Sequence, residues 1–318
     1  ADSLAIFGGM TGGFAHAHFI TSAIEHHAVL HAADMLRARG HRVTILPVDR
    51  DGFVSEEALR LALDGSPALV SMMHGNNEIG TIQDIARLAA LTHERGGIFH
   101  TDAVQTVGHI AVDAHALGVD ALSLSGHKFE GPKGVGALYA RKNLPLTPLI
   151  VGGGQEGGRR AGTENVPGAV GLSVALSLAV NELSDTQPRM SALRETLIAG
   201  ILTSIPQSAL NGSPEHRLPN NVNIRFDHIE GDTVVVGLDL AGIEISTGSA
   251  CSSGSLEPSH VASAIGLEPV SARGSIRISL GRTTTRSDVD RVLDVLPPLV
   301  ERLRGLAGAL TVEEMHGS

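Results

Sequence analysis

Cysteine and aromatic residues are scarce in this sequence: its 318 residues include one cysteine, no tryptophan and one tyrosine. A single cysteine excludes an intrachain disulfide and a cysteine-rich zinc site, and it suits a reducing compartment. Aromatic residues make up 3% of the chain, too few for a platform that stacks the bases of single-stranded nucleic acid. No uninterrupted apolar run reaches the ~18 residues of a membrane span, and the first residues lack a signal-peptide pattern. We therefore expect a soluble, cytoplasmic protein.

The chain also has fewer positively charged than negatively charged residues. Lys and Arg together number 24 against 34 for Asp and Glu, which gives a net charge of −10. This balance argues against a protein that binds a phosphate backbone, so we expect neither nucleic acid nor a membrane as a direct partner. His26 and His27 are adjacent, but no acidic or cysteine ligand lies at helical spacing from them, so we expect no metal site. The counts of glycine (38) and histidine (16) favour an enzyme.

The first half of the chain alternates short apolar runs with helical patterns. Strand–helix–strand units of this kind predict a mainly parallel sheet with helices on both faces, which is the α/β class. The predicted strands cover residues 18–22, 42–47, 68–73, 98–102, 121–125 and 135–140. The predicted helices between them cover residues 25–39, 56–63 and 85–95.

The pattern changes after Gly171 and predicts a smaller α+β domain with antiparallel character. We place the boundary near residue 180, within about ten residues, so that residues 1–180 form the large domain and 181–318 the small one. The predicted helices cover residues 172–183, 189–202, 233–241 and 288–310, the last interrupted by Pro297-Pro298. The predicted strands cover residues 221–226 and 275–280.

Two strand ends carry residues suited to catalysis. One strand runs into Ser125, His127 and Lys128 and then a glycine-rich turn, where a lysine beside hydroxyl and imidazole donors suits a Schiff base next to a bound phosphate. The alternative is a solvated lysine in a turn. The other strand ends in Asp102, whose buried carboxylate would suit a protonated pyridine nitrogen or, alternatively, cap the next helix. The two positions are 26 residues apart, about one helical crossover, which predicts neighbouring strands.

A third strand leads into Asn76, Asn77 and Glu78, and a fourth reaches His26 at a helix start. These side chains would lie at the same edge of the sheet as Asp102. Taken alone, the residues after the third strand are better explained as turn formers.

Several segments resemble motifs of the cysteine desulfurase family, a class-V aminotransferase-like group of pyridoxal phosphate (PLP) enzymes. They occur in the family's order over nearly the whole chain: Ser22–Leu30, Met73–Gly80, His100–Gln105, Ser125–Gly134, Gly152–Glu156, Arg160–Asn165 and Ser249–Pro258. The resemblance implies the aspartate-aminotransferase-like PLP fold (fold type I) and a homodimer. It also implies that the protein takes sulfur from L-cysteine, leaves alanine and passes the sulfur to an acceptor protein.

The resemblance also implies roles for residues around the PLP ring. Lys128 would form the Schiff base, and Asp102 would face the pyridine nitrogen. His26 would stack on the ring and assist proton transfer. Gln105 would bond at the phenolic oxygen and Asn77 elsewhere around the ring, with Asn76 left open as its rival.

Further roles concern the phosphate and the substrate. The resemblance implies that Ser125 and His127 hold the PLP phosphate, joined by Thr163 from the second subunit. Arg277 would bind the substrate carboxylate, a task that suits its bidentate guanidinium, and Asn77 would also contact the substrate.

Cys251 is the only cysteine, and it lies among small residues that predict exposure rather than a buried core thiol, which is the alternative. The resemblance places it in the group whose cysteine rides on a long loop and accepts the sulfur as a persulfide. Because a thiol with an ordinary pKa near ~8.5 is only a few per cent thiolate at neutral pH, a proton acceptor is needed. His26 and the substrate itself are the two choices.

The chain departs from the family pattern at three places. In the family, the segment that resembles Ala1–Gly8 follows a Gly-Gly-Thr-type turn that binds the PLP phosphate at a helix N-terminus. We expect that the sequence is a truncated piece, since every later functional position is present; loss of cofactor affinity is the alternative. Gly157 stands where many relatives carry Arg, and the Gly-rich stretch Met10–His18 is not assigned to a family motif.

Two other functions remain open at this stage. A selenocysteine lyase uses the same lysine and fold, and a cofactor-poor paralogue would instead serve as a scaffold for a sulfur acceptor. The acceptor also stays open among iron–sulfur cluster assembly, tRNA thiolation and DNA sulfur modification.

Overall fold

A computed structural model of the chain describes residues 1–12, 17–248 and 258–316, with side chains described as far as residue 306. The chain forms two compact units. The first unit comprises Ala1–Asp49, Phe53–Asn76 and Ile82–Ser184. The second unit comprises Arg50–Gly52, Asn77–Thr81 and Asp185–Ser318.

The first unit is built on a six-stranded sheet with the order β2-β1-β3-β4-β5-β6. The first five strands are parallel, and β6 pairs antiparallel with β5, which confirms a mainly parallel sheet. Its strands are β1 (His18–Ser22), β2 (Val43–Leu46), β3 (Ala68–Met73), β4 (Ile98–Asp102), β5 (Ala121–Ser125) and β6 (Gly136–Ala140).

Helices cover both faces of this sheet because successive residues of each strand point to opposite sides. In β1, Phe19 packs with Val29 and Leu36 on one face, whereas Ile20 packs with Leu59 and Leu88 on the other. A π-helical turn at Leu4–Gly8 leads into the first helix. The helices are α1 (Gly9–Thr11), α2 (His27–Ala38), α3 (Glu56–Ala62), α4 (Ile85–His93) and α5 (Val166–Asn181).

The connection between β4 and β5 differs from the expectation. Its length suggested a helical crossover, and the two strands do lie side by side, but residues 103–120 form turns rather than a helix. Local bonds of the Asp113 carboxylate to the backbone N–H groups of His115 and Ala116 stabilise one of these turns.

The second unit contains a four-stranded antiparallel sheet with the order β7-β8-β10-β9. Its strands are β7 (Ser208–Leu210), β8 (Asn221–Phe226), β9 (Ser246–Thr247) and β10 (Ser275–Ser279). Its helices are α6 (Leu183–Ser204, which starts in the first unit), α7 (Gly231–Asp239), α8 (His260–Ala264), α9 (Pro269–Arg273) and α10 (Arg286–His316). Apolar residues of the sheet, α6, α7 and α10 form one core.

The expected interruption of the last helix is wrong, because α10 runs through Pro297 and Pro298 without a break. Proline removes a backbone donor and usually kinks a helix. Here Leu296, Leu299 and Val300 flank the prolines and are buried in the core of the second unit. Tertiary packing therefore outweighs the local preference.

Among the described helices, none is long and apolar enough by itself to cross a membrane. The consecutive helices α5 and α6 meet the length and composition criteria only as a broken pair.

Candidate active site

Asp102 closes β4 and is only 6% exposed. Its Oδ1 accepts a hydrogen bond from the backbone N–H of Val104 at 2.9 Å. Burial raises the pKa of Asp102 to about 7, and the nearby Asp2 carboxylate acts in the same direction. The Val104 N–H and the positive charge of Lys128 both act to lower this pKa. Because a buried carboxylate is costly without a compensating cation, this strand end suits a positively charged ligand atom.

Lys128 lies in the 3₁₀ turn Gly126–Phe129, directly after β5, and its side chain is exposed. The backbone carbonyl of Lys128 lies 3.2 Å from Nε2 of His109, a contact that helps to fix the turn. Strands β4 and β5 pair in parallel, with Asp102 opposite Ser123. Asp102 therefore ends one strand, and Lys128 follows the end of the neighbouring strand, as the sequence predicted.

Ser125 and His127 form a polar pair beside Lys128. Ser125 Oγ lies 2.9 Å from His127 Nδ1. Partial burial lowers the pKa of His127, and the positive charges of Lys128 and Lys133 lower it further. A hydroxyl, an imidazole and two ammonium groups between Ser125 and Lys133 are the donor set of an anion site, because an anion would relieve the repulsion among the positive groups.

The turn that carries His26 is held against the end of β3. Oε1 of the buried Glu25 accepts hydrogen bonds from Ser22 Oγ at 2.5 Å and from the backbone N–H of Met73 at 3.0 Å. Burial raises the pKa of Glu25 to about 8. His26 itself caps α2, since its Nδ1 accepts from the backbone N–H of Ala28 at 3.1 Å. With Nδ1 acting as acceptor, a neutral His26 carries its proton on Nε2.

Sequence reasoning missed Glu25 and His74 as members of this region. His74 directly follows β3, is 5% exposed, and its backbone N–H donates to the carbonyl of Asp102 at 2.8 Å. Burial lowers the pKa of His74 to about 4, and its Nδ1 makes no hydrogen bond within the described part of the chain. Each residue lies within three positions of the end of a buried strand, and this position is the sequence signal that could have identified it as part of the site.

The two asparagines after β3 have different surroundings. Asn76 is fully buried, and its Nδ2 donates to the carbonyl of Ile24 at 2.8 Å. Asn77 is half-buried and belongs to the second unit, where its backbone carbonyl accepts from Nη1 of Arg277 at 2.9 Å. Since the Asn76 amide already serves the packing of the first unit, Asn77 is the better candidate for contact with a ligand.

The remaining candidates are less well defined by contacts. Gln105 is half-buried three residues after Asp102, and Thr163 is exposed shortly before α5. Cys251 lies outside the described residues, within the gap at 249–257. Among the residues that are described, no group of three or more His, Cys, Asp or Glu side chains is arranged to hold a metal ion. His27 instead stacks on His31, with ring centroids 5.1 Å apart.

Comparison with known proteins gives a consistent result. The family model for "Aminotransferase class-V" matches residues 11–292. The chain is 52% identical over 290 residues to cysteine desulfurase IscS of Methanosarcina thermophila, which covers 91% of this chain and 72% of that protein. Among solved structures, a NifS-like protein superposes with a TM-score of 0.87 at 38% identity, covering 95% of this chain and 80% of that one. The structure of SspA in complex with cysteine gives a TM-score of 0.75 at 36% identity, covering 89% and 79%.

Proposed function

Because the chain belongs to the class-V aminotransferase family and, within it, to the PLP-dependent cysteine desulfurases, we propose that its first unit binds PLP at Lys128 and that the bound cofactor serves to move sulfur from L-cysteine to Cys251. The observation that carries the proposal is the buried Asp102 carboxyl on the strand next to the one that precedes Lys128.

The residues of the first unit fit the cofactor chemically. Asp102 is a buried acid whose carboxylate form would be stabilised by a protonated ring nitrogen. The turn from Ser125 to Lys128 supplies hydroxyl, imidazole and ammonium donors suited to a phosphate. Gln105 and His26 would contact the ring, and Thr163 of a second copy would complete the phosphate site.

When bound, PLP supplies an electrophilic carbonyl carbon and a ring that stores the electron pair released at the substrate α-carbon. The Lys128 amine would hold the cofactor, and as a free amine it would take the α-proton of the substrate as a base. The Asp102 carboxylate would favour a protonated ring nitrogen. A neutral His26 carries its proton on Nε2, and we assign it a part in proton transfer during the reaction.

Substrate recognition falls to the second unit. The Arg277 guanidinium is half-buried on β10 and donates through Nη1 to the Asn77 carbonyl, a bond that orients it. A guanidinium fork matches the two oxygens of the cysteine carboxylate. SspA, a structure similar to this chain, binds cysteine, which supports the same substrate here.

The sulfur step is assigned to Cys251. Its thiolate attacks the substrate sulfur, and a new S–S bond forms while the C–S bond of the substrate breaks. The electron pair of that bond stays on the substrate carbon, which becomes the methyl group of alanine after protonation. L-cysteine and the Cys251 thiol thus yield L-alanine and a Cys251 persulfide, with no external oxidant or reductant. The outer sulfur of the persulfide then passes to an acceptor protein, and Cys251 is returned as a thiol. We propose a cytoplasmic location because this thiol must stay reduced.

A second copy of the chain is the proposed partner of α5. This helix exposes an apolar stripe at four-residue spacing, with 51–61% of each side chain accessible: Val166, Val170, Val174 and Leu178. Isolated exposed apolar residues are ordinary, but a continuous stripe along a helix favours an interface. Thr163 lies three residues before the stripe, so a homodimer through α5 would bring it to the boundary between the two copies.

The test compares Cys251→Ser with Lys128→Ala on purified protein reconstituted with PLP. We expect wild-type protein to absorb in the visible range, to change colour with cysteine and to form alanine and a persulfide. Cys251→Ser should keep both colour responses but form neither product, and Lys128→Ala should lose the resting absorption. Absence of cofactor absorption in wild type would instead favour a scaffold. Wild-type turnover of selenocysteine by Cys251→Ser would favour a selenocysteine lyase.

A further inference from the structure

Glu78 is a buried acid of the second unit that the reaction described above does not use. It is 4% exposed, although it lies in the short segment Asn77–Thr81 that follows the first unit's strand β3 in sequence. Its backbone carbonyl accepts hydrogen bonds from the side-chain amides of Asn221 and Asn223, both at 3.0 Å. Two amides from β8 therefore fix the backbone at Glu78 and leave its carboxyl group for other contacts.

The carboxyl group of Glu78 touches two residues that are distant in sequence from it and from each other. Ser259 Oγ donates to Glu78 Oε2 at 2.5 Å. A Cβ added to Gly248 would lie 3.0 Å from the same oxygen, so the glycine backbone packs directly against the carboxyl group. Gly248 and Ser259 are the residues on either side of the part of the chain that contains Cys251.

The same carboxyl group feels the positive charge of Arg277, the residue assigned to the substrate carboxylate. Burial raises the pKa of Glu78, whereas the Ser259 hydroxyl and the positive charges of His260 and Arg277 lower it. Arg277 also reaches the Gly248 carbonyl with Nη1 at 3.4 Å. Glu78, Gly248, Ser259 and Arg277 therefore form one contact group, which we term the Glu78 cluster.

We propose that Glu78 is a positioning residue for sulfur transfer, whose carboxyl group holds Gly248 and Ser259, the described residues that flank the Cys251 region, at fixed places. The inference rests on the proposed role of Cys251 as sulfur acceptor. Attack of one sulfur atom on another requires a separation of about 3–3.5 Å and an in-line approach. A shift of about 1 Å at Gly248 or Ser259 would therefore lower the rate by up to about hundredfold.

A purely structural role for Glu78 would predict a different outcome. Ser259 also caps α8, since its Oγ accepts from the backbone N–H of Val261 at 3.1 Å. Loss of a cap lowers stability but leaves the chemistry of folded molecules unchanged. The positioning role instead predicts a change in the rate of persulfide formation with little change in substrate affinity.

The experiment uses Glu78→Ala, Glu78→Gln and Gly248→Ala in the full chain. Gln keeps an oxygen acceptor for Ser259, and Gly248→Ala leaves Glu78 in place while it crowds the carboxyl group. Ser55→Ala, which removes the N-cap of α3 in the first unit, is the matched control for a stability loss alone. The rate of persulfide formation on Cys251 is measured in a single turnover, together with the KM for cysteine.

We expect Glu78→Ala and Gly248→Ala to slow persulfide formation about ten- to hundredfold with KM within about twofold of wild type. The rate of persulfide formation in Glu78→Gln should stay within about threefold of the wild-type rate. The rate in Ser55→Ala should equal the wild-type rate. The double variant Glu78→Ala/Gly248→Ala should lose less of the persulfide-formation rate than the product of the two single losses, because both substitutions act on one contact. Wild-type rates in Glu78→Ala, or a rise in KM without a change in rate, would overturn the proposal.

Hydrogen exchange of the cofactor-free protein gives a second readout that does not depend on turnover. In Glu78→Ala, amide exchange should accelerate on both sides of the Cys251 region, at residues 246–248 and 259–262, and stay unchanged in β4 and β5. Unchanged exchange on either side would contradict the hold by Glu78. If exchange responds but Cys251→Ser still forms alanine at the wild-type rate, the hold by Glu78 stands and the proposed role of Cys251 fails.

Discussion

Asp102 and Lys128 follow neighbouring parallel strands, and the positive charge of Lys128 lowers the pKa of a carboxyl group that burial raises to about 7. Burial disfavours the charged form of this acid, and a further positive charge beside it would favour that form. A protonated ring nitrogen would supply that charge and keep Asp102 ionised. The buried carboxyl group of this strand end would therefore be stabilised by the cofactor that the family uses.

Asp102→Asn should lower the rate of alanine formation much more than it lowers the amount of bound PLP. The amide keeps the size of the side chain but carries no charge, so it no longer favours a protonated ring nitrogen. We expect alanine formation to fall at least about hundredfold, comparable to the loss of one preorganised electrostatic group in an enzyme. Bound PLP, measured by absorbance after denaturation, should change much less. Asp102→Glu is the control that keeps the charge, and equal rates for the Asn variant and wild type would count against the assignment.

Glu25→Gln should change how stability depends on pH. The folded protein holds a proton on Glu25 up to a pKa of about 8, whereas the unfolded chain releases it near the ordinary value of 4.5. The folded state therefore binds more protons between these pH values, and the contribution of Glu25 to stability declines as the pH rises through this window. Gln stays neutral throughout, so its melting temperature should rise relative to wild type from pH 5 to pH 8. Parallel melting curves of the cofactor-free proteins would refute the buried, protonated state.

Ser125→Ala should weaken the phosphate site specifically. A hydrogen bond to a charged group contributes about 1.5–3 kcal/mol, so PLP affinity should fall about tenfold or more. Inorganic phosphate should compete with PLP in wild type and less well in the variant. Ser66→Ala, at an exposed serine before β3, is the matched control. If pyridoxal without its phosphate loses as much affinity as PLP, the hydroxyl does not serve the phosphate.

Val174→Asp should dissociate the proposed homodimer. The substitution puts a charge in the middle of the exposed apolar stripe of α5, and an unpaired charge inside an interface is costly. Sedimentation should then report the mass of one chain instead of two. Leu61→Asp alters an equally apolar residue that is 73% exposed on α3, outside the stripe, and should leave the dimer intact. A single-chain mass for wild type, or a dimer in both variants, would exclude an interface through α5.

The sequence was most informative where local pattern and burial agree. Strands β1, β3, β4, β5 and β8 have the predicted bounds, because each is an apolar run buried within a sheet and ended by polar residues or a turn. The strand ends also predicted that Asp102 and Lys128 belong to neighbouring strands, as the pairing of β4 with β5 confirms.

Long-range packing accounts for what the sequence did not reveal. The helix through Pro297 and Pro298 depends on apolar neighbours from other elements, and no local rule reports that support. The short strands β7 and β9 exist only because β8 and β10 pair with them. Likewise, nothing near Glu78 in sequence indicates that Ser259, far along the chain, donates to its carboxyl group.

The most direct test of the account is to reduce the PLP-loaded protein with borohydride and locate the cofactor by peptide mass spectrometry. The chain has three lysines, Lys128, Lys133 and Lys142, so the assignment has few alternatives. We expect one phosphopyridoxyl group per chain, on Lys128, and little labelling when Asp102 is replaced by Lys, which would repel the ring nitrogen. Labelling on Lys133 or Lys142, or no labelling at all, would contradict the central claim.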